Sequence, residues 1–202
     1  MRQINVKPHS IMLEPIGKNT APAIAIAALK ALKEDSEYIL LVLSSDHEIK
    51  DPHNFRKAVE AGLNDAKNGK LVTFGIKPDY PETGYGYIET SESFSKSILR
   101  SLKIKSFFEK PNSKKANEYL NKDNFLWNSG IFLFKSTSII NALELYEPKL
   151  LSFCKLALNK SSSDLVFQRL DKDSFRKCAN ISIDHAVMEK TKNAAEILKF
   201  FL

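Results

Sequence analysis

An α/β fold with a mixed, mainly parallel sheet is predicted by three observations. Tyr38-Ile39-Leu40-Leu41-Val42-Leu43 is an unbroken apolar run, as suits a parallel strand covered on both faces. Leu71-Val72-Thr73-Phe74-Gly75-Ile76 is a second such run. Between them Phe55, Val59, Leu63 and Ala66 recur at helical spacing, so strand, helix and strand alternate. The chain has 202 residues, 43% hydrophobic and 27% charged. A single domain, 1–202, with a sizeable core is expected.

Ile11-Met12-Leu13 is a short strand candidate. The loop Glu14 to Thr20 follows, and Asn19 or Thr20 can cap a helix with Pro22 in its first turn, running to about Lys33. Tyr38 to Leu43 comes next, with Ser44-Ser45-Asp46-His47 at its carboxyl end. The middle is richer in strands: Tyr85 to Thr90, Ile104 to Glu109 and Ile131 to Phe134. A short helix near Lys114 to Leu120 separates the last two. Ser138 through Leu158 reads as helix, and so does Asp184 to Lys190. Ala195 to Leu202 reads as a strand that needs a partner for its backbone.

The formal net charge is +6, which suits attraction of phosphorylated small molecules. Lysines are scattered and far outnumber arginines, which argues against a nucleic-acid stripe. No apolar run approaches the ~18 residues that span a bilayer, so no membrane partner is expected. Two cysteines without close spacing and an N-terminus without a targeting segment fit a reduced, cytoplasmic compartment. The four histidines form no zinc pattern with those cysteines.

Chemistry concentrates in four places. Asp46 follows a strand's carboxyl end, where open α/β sheets place ligands; a carboxylate there holds Mg²⁺ near phosphates or simply caps a turn, and both readings are open. Pro81-Glu82-Thr83-Gly84-Tyr85-Gly86-Tyr87-Ile88-Glu89 holds the chain's one Gly-x-Gly. Glycines let backbone approach a ligand and the tyrosines can pack on a polar ring, while a hairpin or bulge would also need glycine. Glu109 can accept from sugar hydroxyls and Lys110 can meet a phosphate; taken alone, Glu109-Lys110-Pro111 reads better as a solvated strand end. Trp127-Asn128-Ser129-Gly130 offers a donor and acceptor at Asn128 and close approach at Gly130, or an ordinary turn before a core strand. Trp127 leans to core packing. Order and spacing give these pieces a joint meaning, a sugar-phosphate site.

That order resembles the sugar-nucleotide pyrophosphorylases, in particular the mannose-1-phosphate guanylyltransferase family. The likeness is carried by Leu13-Glu14-Pro15-Ile16-Gly17-Lys18-Asn19-Thr20-Ala21-Pro22-Ala23, Leu41 to His47, Val72 to Ile76, Pro81 to Ile88, Phe108 to Pro111 and Trp127 to Gly130. Ser182-Ile183-Asp184-His185-Ala186-Val187-Met188-Glu189-Lys190-Thr191 matches a late family motif, with His185 where an aromatic residue is usual. The resemblance implies a Rossmann-like nucleotidyltransferase (nucleotide-diphospho-sugar transferase) domain. It implies a reaction in which GTP and α-D-mannose 1-phosphate give GDP-mannose and diphosphate, with Mg²⁺ as cofactor. By the same resemblance Glu14, Pro15, Asn19, Thr20 and Ala21 border the guanosine, and Asp46 holds Mg²⁺. Gly84, Tyr85, Gly86, Glu109, Asn128 and Gly130 bind the sugar, and Lys110 meets its phosphate.

The family begins with a loop of the form Gly-Gly-x-Gly-x-Arg-Leu-x-Pro that cradles the triphosphate. None of the seven glycines here forms that pattern. A second metal-binding Asp is expected beyond Leu202. The resemblance therefore implies a partial, truncated domain, inactive alone or a sugar-nucleotide-binding remnant. Homo-oligomerisation and completion by a complementing chain are both open. The strand from Tyr38 is expected to lose a neighbour, with Ile11 to Leu13 stranded beyond the gap.

Overall fold

The structure is a computed structural model, and it describes residues 6–35, 38–93 and 101–198. In chain order the first half holds β1 (Ile11–Leu13), α1 (Thr20–Leu32), β2 (Ile39–Val42), α2 (Pro52–Lys67), β3 (Leu71–Ile76), β4 (Tyr87–Thr90) and β5 (Ser101–Phe108). Then come α3 (Ser113–Leu120), β6 (Phe125–Lys135), α4 (Ser136–Tyr146), α5 (Pro148–Asn159), β7 (Ser162–Asp164), β8 (Phe167–Arg169), α6 (Lys172–Phe175) and β9 (Ala194–Leu198).

The local signals explain the helix starts. Asn19, at φ 66°, accepts the Thr20 N–H through its side chain; Asn tolerates that left-handed backbone better than most residues. Asp51 caps α2 by accepting from Asn54 N, with Pro52 in the first turn. The helical run expected from Ser138 to Leu158 is two helices. Glu147 leaves the helical region at φ −140°, ψ 53°, as a residue before proline tends to, and Pro148 starts α5. The expected helix at Asp184 is a five-residue π-helical turn, Asp184–Met188.

The main sheet is mixed, with strand order β2-β6-β3-β9-β5-β4 and a further β6–β4 pairing. The expectation of a mainly parallel sheet is corrected here. Of the pairings in this sheet, β3–β9 is parallel and the others are antiparallel. β2 and β3 do run the same way, as a strand-helix-strand crossover demands, but β6 lies antiparallel between them. β2 is not covered on both faces either. It pairs with β6 on one side, forms the sheet edge among the described residues, and leaves Leu41 37% exposed. β1 stays out of this sheet and pairs parallel with β8, half of a β7–β8 hairpin that the sequence did not announce. Strand β9 ends at Leu198, and the rest of the strand expected from Ala195 to Leu202 lies outside the described residues.

Side-chain alternation along β6 divides the core. Phe132 and Phe134 join α1, α4 and α5 on one face, while Ile131 and Leu133 join Phe55 and Ala58 of α2 on the other. Burial of such side chains is worth about 1.5–3 kcal/mol each. Cys154 and Cys178 lie in the first of these clusters as free, buried thiols 3.7 Å apart. A third cluster joins Tyr87, Phe125 and Trp127 of the sheet to Ala116 and Tyr119 of α3. No helix among the described residues is long and apolar enough to cross a membrane.

Candidate functional site

A cavity of about 1320 Å³ opens at the carboxyl ends of β2 and β3, the place where open α/β sheets bind ligands. Its volume exceeds the ~300–1,000 Å³ common for small-molecule sites, so it has room for a ligand of more than one ring. The start of α1 forms one wall with Thr20, Ala23 and Ile24. The segment after β2, from Leu43 to His47 without Asp46, forms another.

The sugar-side residues named from sequence meet here. Gly84, Tyr85, Gly86, Glu109, Asn128 and Gly130 all line the cavity. Gly86 is needed for close approach: a Cβ there would lie 2.8 Å from Glu109 Oε2 and 3.6 Å from Asn128 Cβ. The Gly86 carbonyl accepts the Asn128 N–H at 2.8 Å. Gly84 N donates to Glu82 Oε1 at 2.7 Å, and Tyr87 Oη donates to the Glu82 carbonyl at 2.9 Å. These bonds fold the aromatic turn back on itself.

Trp127-Asn128-Ser129-Gly130 lies inside β6, not in a turn before a strand. The β3–β6 register breaks between Thr73 and Gly75. Ser129 repairs that break: its hydroxyl donates to the Phe74 carbonyl at 2.6 Å and accepts the Ile131 N–H at 3.2 Å. Gly130 takes φ +69°, a backbone that L side chains rarely adopt. The bulge turns Asn128 into the cavity wall. There Asn128 Oδ1 accepts from Thr73 Oγ1 and from Gly130 N, both at 3.2 Å. Its Nδ2 donates to Asp184 Oδ1 at 2.7 Å. Trp127 is buried at 6% exposure, with Tyr80 and Tyr85 edge-on at centroid distances of 4.9 and 5.3 Å.

Sequence reasoning makes Asp184 a motif member without a role and gives Thr73 and Tyr80 none. Asp184 lines the cavity. Burial pushes its carboxyl above the usual range, against the Asn128 bond and helped by the Glu109 charge. The residue reaches the site because α1 is tied to the segment before it. Ala21 N donates to the Ile181 carbonyl at 3.2 Å, and Ile183 N donates to Thr20 Oγ1 at 2.8 Å. The Asn19-Thr20-Ala21 string thus caps α1 and anchors the Asp184 segment.

The remaining predicted residues stand apart from the wall. Glu14, Pro15, Asn19 and Ala21 do not line the cavity, though Thr20 does; Ala21 is fully buried. Lys110, in a left-handed backbone at φ 44°, carries its ammonium 4.0 Å from Glu109 Oε1 outside the lining. Asp46 sits in the turn after β2 and accepts from Ser44 Oγ, which holds its carboxyl below the usual range. No cluster of three or more His, Cys, Asp or Glu side chains suited to a metal occurs among the described residues. One ionised carboxylate beside the cavity does suit Mg²⁺, which takes most of its ligands from phosphates and water.

Residues 2–174 match the sequence pattern of the nucleotidyl transferase family. The chain is 44% identical over 197 residues to the xanthan biosynthesis protein XanB of Xanthomonas campestris pv. campestris (strain B100), covering 98% of this chain and 41% of that protein. It is 44% identical over 200 residues to the mannose-1-phosphate guanylyltransferase of Escherichia coli (strain K12), covering 98% and 42%. The chain thus spans about two fifths of the length of these relatives. A crystal structure of mannose-6-phosphate isomerase from Helicobacter pylori superposes with a TM-score of 0.86 at 33% identity, over 98% of this chain and 75% of that one. A crystal structure of mannose-1-phosphate geranyltransferase from Thermus thermophilus does so with a TM-score of 0.79 at 31% identity, over 94% and 52%.

Proposed function

Because this chain belongs to the nucleotidyl transferase family, we propose that it is the sugar-binding portion of a mannose-1-phosphate guanylyltransferase. The reaction is GTP plus α-D-mannose 1-phosphate to GDP-mannose plus diphosphate. One observation carries the reading: Gly86, Glu109 and Asn128 converge on one cavity wall, with a glycine where a Cβ would strike Glu109. A carboxylate and a fixed amide offer acceptors and a donor to a ring of hydroxyls.

In this reading Glu109 and Asn128 hold the mannose, and Tyr85 packs on it. Lys110 swings from Glu109 to the sugar phosphate, whose oxygen attacks the α-phosphorus of GTP as the α–β phosphoanhydride bond breaks and diphosphate leaves. Asp46, together with the phosphates, would hold Mg²⁺, which would supply charge neutralisation for the transfer. Thr20, with Glu14, Pro15, Asn19 and Ala21 behind it, borders the guanosine.

The test is release of diphosphate from GTP and mannose 1-phosphate with Mg²⁺ by the purified chain, run beside a GDP-mannose binding titration. Turnover with formation of GDP-mannose supports the full reading. Binding without turnover assigns the chain to sugar-nucleotide binding alone. Neither binding nor turnover contradicts both.

A further inference from the structure

The Asp184 carboxyl is a half-buried group of the cavity whose chemistry is little used within the fold. A carboxylate has about four lone-pair sites. Within the fold it accepts from the Asn128 amide at 2.7 Å and from its own backbone N–H. The neighbouring His185 ring is turned to Glu189 Oε1 at 2.7 Å. Ionising a carboxyl withdrawn from water is costly unless it is paired or hydrogen-bonded. Burial accordingly drives its proton affinity up, and the nearby Glu109 adds to this.

Two carboxyls on one wall also define the ligand. Both accept from hydroxyl donors, and the Glu109 carboxylate repels an anionic ring substituent. The Asn128 amide is the middle link of a hydrogen-bond chain that runs from Thr73 Oγ1 to Asp184 Oδ1. With Oδ1 held by Thr73 and Gly130, the amide keeps its second N–H for a ligand.

We propose that Asp184 is a second carboxyl ligand of the sugar hydroxyls, acting beside Glu109, and that its bond to Asn128 sets the direction of that amide. This rests on the sugar-nucleotide reading above. Asp184 takes one hydroxyl on an unused lone pair, and Asn128 Nδ2 donates to a neighbouring one. The pocket therefore selects neutral polyhydroxyl rings and disfavours rings bearing a carboxylate.

The test is calorimetric titration of the wild-type chain and Asp184→Asn with GDP-mannose, with GDP, and with GDP-mannose analogues each lacking one hydroxyl. Asn at 184 keeps the size and the acceptor for Asn128 but removes the charge and one acceptor. The expected result is a tenfold or larger loss for GDP-mannose, GDP affinity within twofold, and one deoxy analogue for which the two proteins bind alike. Unchanged GDP-mannose affinity in D184N overturns the proposal, and so does an equal loss for GDP. A wild-type chain that binds GDP-mannose no tighter than GDP overturns the sugar reading itself. Should D184N not fold, the ¹³Cγ resonance of Asp184 in the wild-type chain decides: it shifts with GDP-mannose and not with GDP, and a resonance unmoved by GDP-mannose overturns the proposal.

Discussion

Asn128 Nδ2 donates to Asp184 Oδ1 at 2.7 Å across 56 residues of sequence, joining β6 to the π-helical turn on the wall of the cavity. The same amide accepts from Thr73 Oγ1 and Gly130 N, so one side chain ties three parts of the chain together. Replacing Asn128 with Ala leaves a part-buried carboxyl and a backbone N–H short of a partner, while Thr73 Oγ1 keeps the Ile131 carbonyl at 3.1 Å. The expected cost is about 1–3 kcal/mol, read from urea unfolding. An unchanged midpoint and slope would show that the amide is not a structural tie.

Gly86→Ala tests the close approach. Its Cβ would meet Glu109 Oε2 at 2.8 Å, and the far end of a Glu side chain can swing away. Stability should therefore change by under about 1 kcal/mol, while affinity for a sugar nucleotide falls about tenfold or more, near 1.4 kcal/mol. Full affinity in this variant would place the sugar elsewhere.

Asp184 and His185 give the fold a pH dependence with a definite sign. Burial raises the Asp184 carboxyl above its ordinary value of 3.8. Its contribution is full below that value and is lost as pH rises through the raised native value. Asp184→Asn removes this slope, so its stability relative to wild type should improve as pH climbs through that window. The Glu189 carboxylate raises His185 above 6.5. That contribution is full below 6.5 and is lost as pH rises through the raised value, and Glu189→Gln should remove it. Unfolding curves followed upward from below pH 3.8 for D184N, and from below pH 6.5 for Glu189→Gln, test both signs; parallel curves for D184N and wild type would contradict the first.

Much of this was readable in the chain, for reasons that are local. Asn19 and Pro22 mark the start of α1, and Leu71 to Ile76 is a buried strand because alternate residues serve opposite faces. Gly84-Tyr85-Gly86, Glu109 and Asn128 announced a shared site, and they share a wall. Other features depend on partners far away in sequence. Nothing near Ile39 to Val42 tells that β6 enters antiparallel beside it. The β7–β8 hairpin carries no sequence signal because its strands are three residues each and its turn uses Leu165 at φ 54° in place of glycine. Asp184 owes its place to bonds that reach back to Thr20, 163 residues before Ile183.

The edge of β2 carries its own prediction. Leu41 and Leu43 are 37% and 48% exposed beside a strand paired on one side among the described residues. Exposed apolar edges favour association with other chains, and lysine on an edge opposes it. Leu41→Lys should lower concentration-dependent association in sedimentation velocity while leaving the circular dichroism unchanged. Equal association in variant and wild type would remove β2 from that role.

Calorimetric titration of the purified chain with GDP-mannose and with GDP tests the proposed mannose pocket most directly. The expected result is GDP-mannose binding at least about tenfold tighter than GDP, with that advantage lost in Gly86→Ala. Equal affinity for the two ligands, or an advantage that survives Gly86→Ala, would contradict it.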